Sequence, residues 1–149
     1  MTGLTLAALM HISVAVTGAD AYHTAYAEAK ENGKPLVVLV GTDWCPGCVT
    51  MKNSVMPEAA RRGILSKANV AVVNADRQPE LAQKLMRGAS IPQLIVFTKT
   101  HEGWRRKQVT GATTVATIEE MIEAGIAAGE PKTAVVARPT SDVKAVKPE

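Results

Sequence analysis

The chain has 149 residues, is 46% hydrophobic and 21% charged, and carries a formal net charge of +3. That length holds one ordinary core, and the balance of apolar and charged residues excludes both a disordered chain and a collagen-like one. The small charge, with no aromatic–basic stripe, speaks against nucleic acid as a partner.

In chain order, Leu4–Val16 is apolar and almost uncharged, and small residues follow at Thr17-Gly18-Ala19 and Ala19-Asp20-Ala21. This suits the apolar region and cleavage site of a secretory signal peptide, so residues 1–20 are expected to direct export, to the periplasm in a bacterial cell. No Lys or Arg precedes Lys30, so the usual basic flank is missing. The competing reading is a half-buried first strand, in which Ile12, Val14 and Val16 alternate with His11, Ser13 and Ala15. A strand there would imply a cytoplasmic protein. The stretch is too short for a stable membrane span.

A helix is expected near Ala21–Asn32, then a strand over Pro35–Val40. A tight turn leads into a helix over Cys45–Met56. Pro57 should break or restart that helix, because proline has no N–H and crowds the preceding turn. A short helical piece reaches about Lys67. A strand over Ala71–Asn74 and a helix over Pro79–Met86 come next. Strands over Leu94–Thr98 and Trp104–Thr110 form a hairpin, with the one basic cluster, Arg105-Arg106-Lys107, at a solvated strand end or turn. The last helix covers Thr114–Ala128, with Val115, Ile118, Met121, Ile122 and Ile126 on one face. A β-α-β unit followed by a hairpin and a helix implies an α/β fold, a mixed central sheet flanked by helices. Residues 129–149 hold three prolines, scattered charge and no sustained period, and read as a flexible tail.

The only two cysteines, Cys45 and Cys48, are spaced C-x-x-C where the strand hands over to the helix. That spacing puts two sulfurs on one helical turn, near enough to join without moving the backbone. The first sits at the helix N-terminus, where free N–H groups favour a thiolate. Cys45 is therefore the expected nucleophile, facing solvent, and Cys48, one turn in and more buried, the resolving thiol. Pro46 has a φ suited to a first helical turn, and Gly47 leaves the sulfurs without bulky cover. A structural disulfide in so tight a loop would constrain little of the unfolded chain. Zinc would need two more ligands from His11, His23 and His101, none at paired spacing. No metal and no cofactor beyond the Cys45–Cys48 pair is expected.

The segment Val70–Phe97, VAVVNADRQPELAQKLMRGASIPQLIVF, resembles the thioredoxin family when read with Trp44–Cys48 (WCPGC). Further marks are N-x-D at Asn74–Asp76, Ile91-Pro92 ahead of a strand, and Gly111 after the last one. The resemblance covers most of Ala21–Ala128. The opening AYAEAKENGKPLVVLVGTDWC is similar to the exported or membrane-associated thioredoxin-like subgroup. The resemblance implies a thioredoxin-like fold and a thiol–disulfide oxidoreductase. It implies a cis bond between Ile91 and Pro92, and substrate binding by Ile91, Pro92 and Gly111, with the Ile91 backbone pairing with an extended chain. It also implies that the Trp44 indole meets the Asp76 carboxylate. Partners would be protein thiols and disulfides and an upstream thiol donor or acceptor, with the protein a monomer.

Two departures stand out. Thioredoxins usually carry a buried Asp six residues before the first cysteine and a Lys on the next strand; here those positions are Leu39 and Val72. The central dipeptide is Pro46-Gly47 rather than Gly-Pro. The preferred reading is a reductase in an exported compartment. The alternative is a non-catalytic thioredoxin-fold binding module, or a redox sensor, with a stable Cys45–Cys48 disulfide.

Overall fold

The computed structural model describes residues 19–130. The expected signal peptide up to residue 18, the alternative first strand and nearly all of the expected tail lie outside the described residues. The elements run α1 (Ala19–Asn32), β1 (Leu36–Gly41), α2 (Pro46–Thr50), a π-helical turn (Met51–Val55), α3 (Met56–Arg61), a 3-10 turn (Leu65–Lys67), β2 (Asn69–Asn74), α4 (Pro79–Leu85), β3 (Gln93–Thr100), β4 (Gly103–Thr110) and α5 (Val115–Gly129).

The sheet is mixed, in the order β2-β1-β3-β4. β1 pairs in parallel with β2, Leu39 opposite Val72, and antiparallel with β3, Val38 opposite Ile95. β3 and β4 form the expected hairpin, closed by Thr100 opposite Gly103. Every residue of β1 is buried, because the strand has neighbours on both edges and helices on both faces. This is why it reads as an unbroken apolar run rather than an alternating one.

Two apolar layers sandwich the sheet. On one face, Val37, Leu39, Leu94 and Val96 pack against Met51, Met56 and Ala59 and against Ile118, Met121 and Ile122 of α5. On the other, Leu36, Val38, Val40, Ala71, Val73 and Ile95 meet Ala25 and Ala29 of α1 and Ala82 and Leu85 of α4. The face expected for the last helix is the buried one, and Thr114 caps that helix by accepting the Thr117 N–H at 3.2 Å.

Of the two outcomes expected at Pro57, the restart is the one found: α3 begins at Met56 with Pro57 in its first turn. The chain stays helical to Arg61 by widening into a π-turn, in which the Met56 N–H reaches back to the Met51 carbonyl. The wider turn relieves the crowding that a proline ring imposes one turn upstream. One expectation needs correction: the basic cluster sits in the middle of β4 rather than at its end. There the Arg106 guanidinium lies 5.5 Å from the centre of the Phe97 ring across the strand pair.

Candidate active site

β1 ends at Gly41, and the chain turns through Thr42, Asp43 and Trp44 into α2. Cys45 is the N-cap of that helix, with extended φ and ψ of −79° and 120°. Its sulfur takes the capping role of a serine or aspartate oxygen and accepts the Cys48 N–H at 3.4 Å. The pair is present as free thiols.

The two thiols are pushed apart in acidity. The Cys48 side-chain hydrogen bond holds Cys45 below the ordinary thiol range; burial opposes this, and the Cys48 and Gly47 backbone N–H groups add to it. Burial pushes Cys48 up, and its hydrogen bond with Cys45 pushes it further. The expectation that Cys45 faces solvent needs correction: its accessible surface is 8% against 3% for Cys48. Both are buried: the Ile91-Pro92 segment lies over Cys45, and Cys48 packs against Gly41. Cys45 Sγ approaches the Ile91 carbonyl at 3.9 Å. The Ile91–Pro92 bond is cis, and a Cβ added to Gly47 would sit 3.3 Å from the Pro92 ring. Gly47 therefore lets the helix start close under Pro92. Pro46, in the first helical turn, contributes its carbonyl to the Thr50 hydroxyl at 3.0 Å.

Gly111 follows β4 at φ 95°, a conformation that favours glycine. Its N–H donates to the Pro92 carbonyl at 2.8 Å. Trp44 is 71% exposed, and its indole N–H donates to Asp76 at 2.9 Å. Asn74 sets that carboxylate in place by accepting the Asp76 and Arg77 backbone N–H groups. Thus Trp44, Asp76, Cys45, Pro46, Gly47, Cys48, Ile91, Pro92 and Gly111 converge on one end of the sheet.

Asp43 is bound by Lys52 at 2.9 Å, Arg77 at 2.6 Å and Asn74 at 3.1 Å. The Lys52 hydrogen bond, with the charge of Arg77 behind it, holds this carboxyl below the usual range. A carboxylate so held is a weak proton acceptor. Leu39 is buried in the core, whereas Val72 is 42% exposed at the sheet edge. Among the described residues, no group of three or more His, Cys, Asp and Glu gathers as a metal site, and no helix is long and apolar enough to cross a membrane.

Three residues near the sulfurs escaped the sequence reading. Gly41 approaches Cys48 so closely that an added Cβ would lie 2.8 Å from the sulfur. Thr42 is buried beside Cys48. Gln93 is fully buried and ties down the loop ahead of Pro92: it accepts the Arg87 N–H at 3.0 Å and donates to the Arg87 and Ser90 carbonyls at 3.0 and 2.9 Å. The available signal was a glutamine inside the apolar run Ile91–Phe97, since a buried amide must be hydrogen-bonded.

A mixed sheet between two helical layers, with a C-x-x-C pair at a helix start under a cis-proline, defines a thioredoxin-like protein. Residues 17–99, more than half of the chain, match a family model described as thioredoxin-like, and the chain belongs to that family. No curated protein matches significantly. Among solved structures, the chain is similar to chloroplastic thioredoxin z, at TM-score 0.60 and 18% identity, over 78% of this chain and 99% of that one. It is similar to a thioredoxin from Thermus thermophilus at TM-score 0.60 and 23% identity, over 72% and 86%. The Drosophila melanogaster thioredoxin Deadhead aligns at TM-score 0.57 and 22% identity, over 74% and 97%. At these identities the likeness is one of fold. The fold and the cysteine pair together support thiol–disulfide oxidoreduction as the general chemistry.

Proposed function

We propose that the protein reduces disulfides of protein substrates in an exported compartment. The observation that carries this reading is the opposed setting of the two thiols under Ile91-Pro92: Cys45 is made acidic by hydrogen bonds and Cys48 is made less acidic by burial. Cys45, the more acidic of the two, therefore ionises first, giving one thiolate positioned to attack and one thiol held in reserve. The Cys45 thiolate attacks a substrate disulfide, one substrate thiolate leaves, and a mixed disulfide remains. Cys48 then attacks Cys45 Sγ and releases the second substrate thiolate, so two electrons pass from the pair to the substrate. A separate thiol donor must reduce the pair again.

The exposed Trp44 ring beside Cys45 supports a macromolecular substrate, because it offers apolar surface next to the reacting sulfur. The carbonyl of Ile91 and the N–H of a substrate strand would pair beside the sulfurs, as in β-augmentation. Export rests on the apolar stretch Leu4–Val16. A chain cut to begin at Asp20 or Tyr22 keeps Ala25 and Ala29, which pack α1 on the sheet.

Reduction of insulin disulfides by dithiothreitol tests the chemistry. The protein should accelerate it, and Cys45→Ser should not. A wild type without effect, its thiols fully reduced, would favour the binding-module reading. A reduction potential near about −270 mV is expected for the reductive direction, and one near about −120 mV would reverse it. Native material should have the intact mass of a chain starting near Asp20 or Tyr22; a full-length chain would overturn export.

A further inference from the structure

The second exchange step needs the Cys48 thiol to lose its proton inside the protein, and the carboxylate that thioredoxins usually place nearby is replaced by Leu39. Asp43 is held by Lys52, Arg77 and Asn74, and Asp76 accepts the Trp44 indole N–H. Of the remaining polar groups, Thr42 is the one that acts on the sulfur. Thr42 is 6% exposed, and its Oγ1 is buried without a hydrogen-bond partner of ordinary geometry. Thr42 follows Gly41, the residue whose lack of a side chain admits the Cys48 sulfur. Thr42 and Cys48 also line one cavity of about 420 Å³, together with Leu39, Val72, Lys52 and Arg77.

We propose that Thr42 is a positioning residue for the resolving step, its hydroxyl donating a hydrogen bond to the Cys48 thiolate as that anion forms. The inference rests on the thiol–disulfide exchange reading above. A buried hydroxyl left unpartnered in the dithiol is a donor waiting for an acceptor, and an anionic sulfur is a far better acceptor than a neutral one. Thr42, through its backbone and its hydroxyl, draws the Cys48 pKa down against burial and against Cys45. The ionisable groups around Cys48 are Cys45 at the N-cap of α2, Asp43 before it, Lys52 on the π-turn and Arg77 after β2. Among the described residues, Gln78 also lines the cavity and its Nε2 is likewise buried without a partner, but of these two neutral donors Thr42 is the one that acts on the Cys48 thiol.

The step balances as follows. The Cys48 S–H gives its proton to solvent through the shared cavity. Its thiolate forms the Cys48–Cys45 bond, the bond between Cys45 and the substrate sulfur breaks, and the electron pair leaves on that sulfur.

The test uses the full reduced chain and the aryl disulfide DTNB in rapid mixing. The first aryl thiolate is released as Cys45 attacks, at a rate that rises with probe concentration. The second is released by resolution, at a rate that does not. With Thr42→Val, the pH midpoint of the second phase should rise by about one unit, so that thiolate falls about tenfold below it. A less acidic thiolate is also more nucleophilic, so the net slowing below the midpoint should be about threefold, with faster resolution above it. A purely structural effect would not make the two profiles cross. Thr42→Ser should keep the wild-type midpoint. Thr42→Ala carries the same expectation as Thr42→Val should the valine variant not fold. A wild-type midpoint after loss of the hydroxyl, or a serine variant shifted as far as valine, would overturn the proposal. Because DTNB is a small probe, the result is independent of whether protein disulfides are reduced.

Discussion

At the scale of residues, the site depends on a difference between two identical side chains. Cys45 lies below the ordinary thiol range because Cys48 and helix N–H groups hydrogen-bond its anion, and Cys48 lies above it because it is buried. The sign gives the pH window. Between the two pKa values Cys45 is ionised and Cys48 is not, so alkylation below the Cys48 pKa should mark Cys45 first, and the preference should shrink as pH rises through that pKa. Peptide mapping of partly alkylated, reduced protein reads this directly; label appearing first on Cys48 would contradict the assignment. Cys45 and Cys48 were legible in the sequence because spacing alone places two sulfurs on one turn. The burial of Cys45 was not, because Ile91 and Pro92, which cover it, are far away in sequence. Gly41 and Thr42 were silent for the same reason: what matters is a 2.8 Å approach and an unpartnered oxygen, and neither leaves a pattern in the chain.

At the scale of elements, boundaries followed pattern where the apolar signal is plain, as one face in α5 and as an unbroken run in β1. They departed from it where a tertiary contact compensates a local fault. Pro57 is such a fault, and the π-turn Met51–Val55 absorbs it while keeping Met51 in the core. The loop before Pro92 is held by the amide of Gln93, which also accepts from Gln108 at 2.9 Å. Gln93→Leu should leave several buried polar groups unpaired and cost about 1–3 kcal/mol, with weaker capture of disulfide substrates. Urea denaturation checks this, and an unchanged midpoint would show that the loop holds itself. The pair Leu39 and Val72, opposite each other in β1 and β2, invites the reverse experiment. Leu39→Asp should cost about 2–5 kcal/mol, since it removes core packing and buries an ionisable group. It should also add a carboxylate titration to the resolving step. Val72→Lys alone, at the exposed edge, should change stability by less than about 0.5 kcal/mol. Combined with Leu39→Asp it should recover part of the loss; a double variant no more stable than Leu39→Asp would mean that the two side chains do not interact across the strands.

At the scale of the molecule, the sheet end where β1 meets α2 is where the fold brings both sulfurs, the Ile91 carbonyl and the exposed Trp44 together. The other described elements hold that end in place, α1 and α4 on one face, the π-turn, α3 and α5 on the other. The topology could be read from the order of apolar runs, since a β-α-β unit followed by a hairpin and a helix leaves few arrangements. The central claim is the division of labour within the pair, and trapping tests it most directly. In Cys48→Ser the mixed disulfide cannot be resolved, so incubation with a disulfide-containing protein should give a covalent complex, cleaved by excess thiol and visible on a non-reducing gel. Cys45→Ser should give none. Equal trapping by both variants, or trapping by Cys45→Ser alone, would contradict the account.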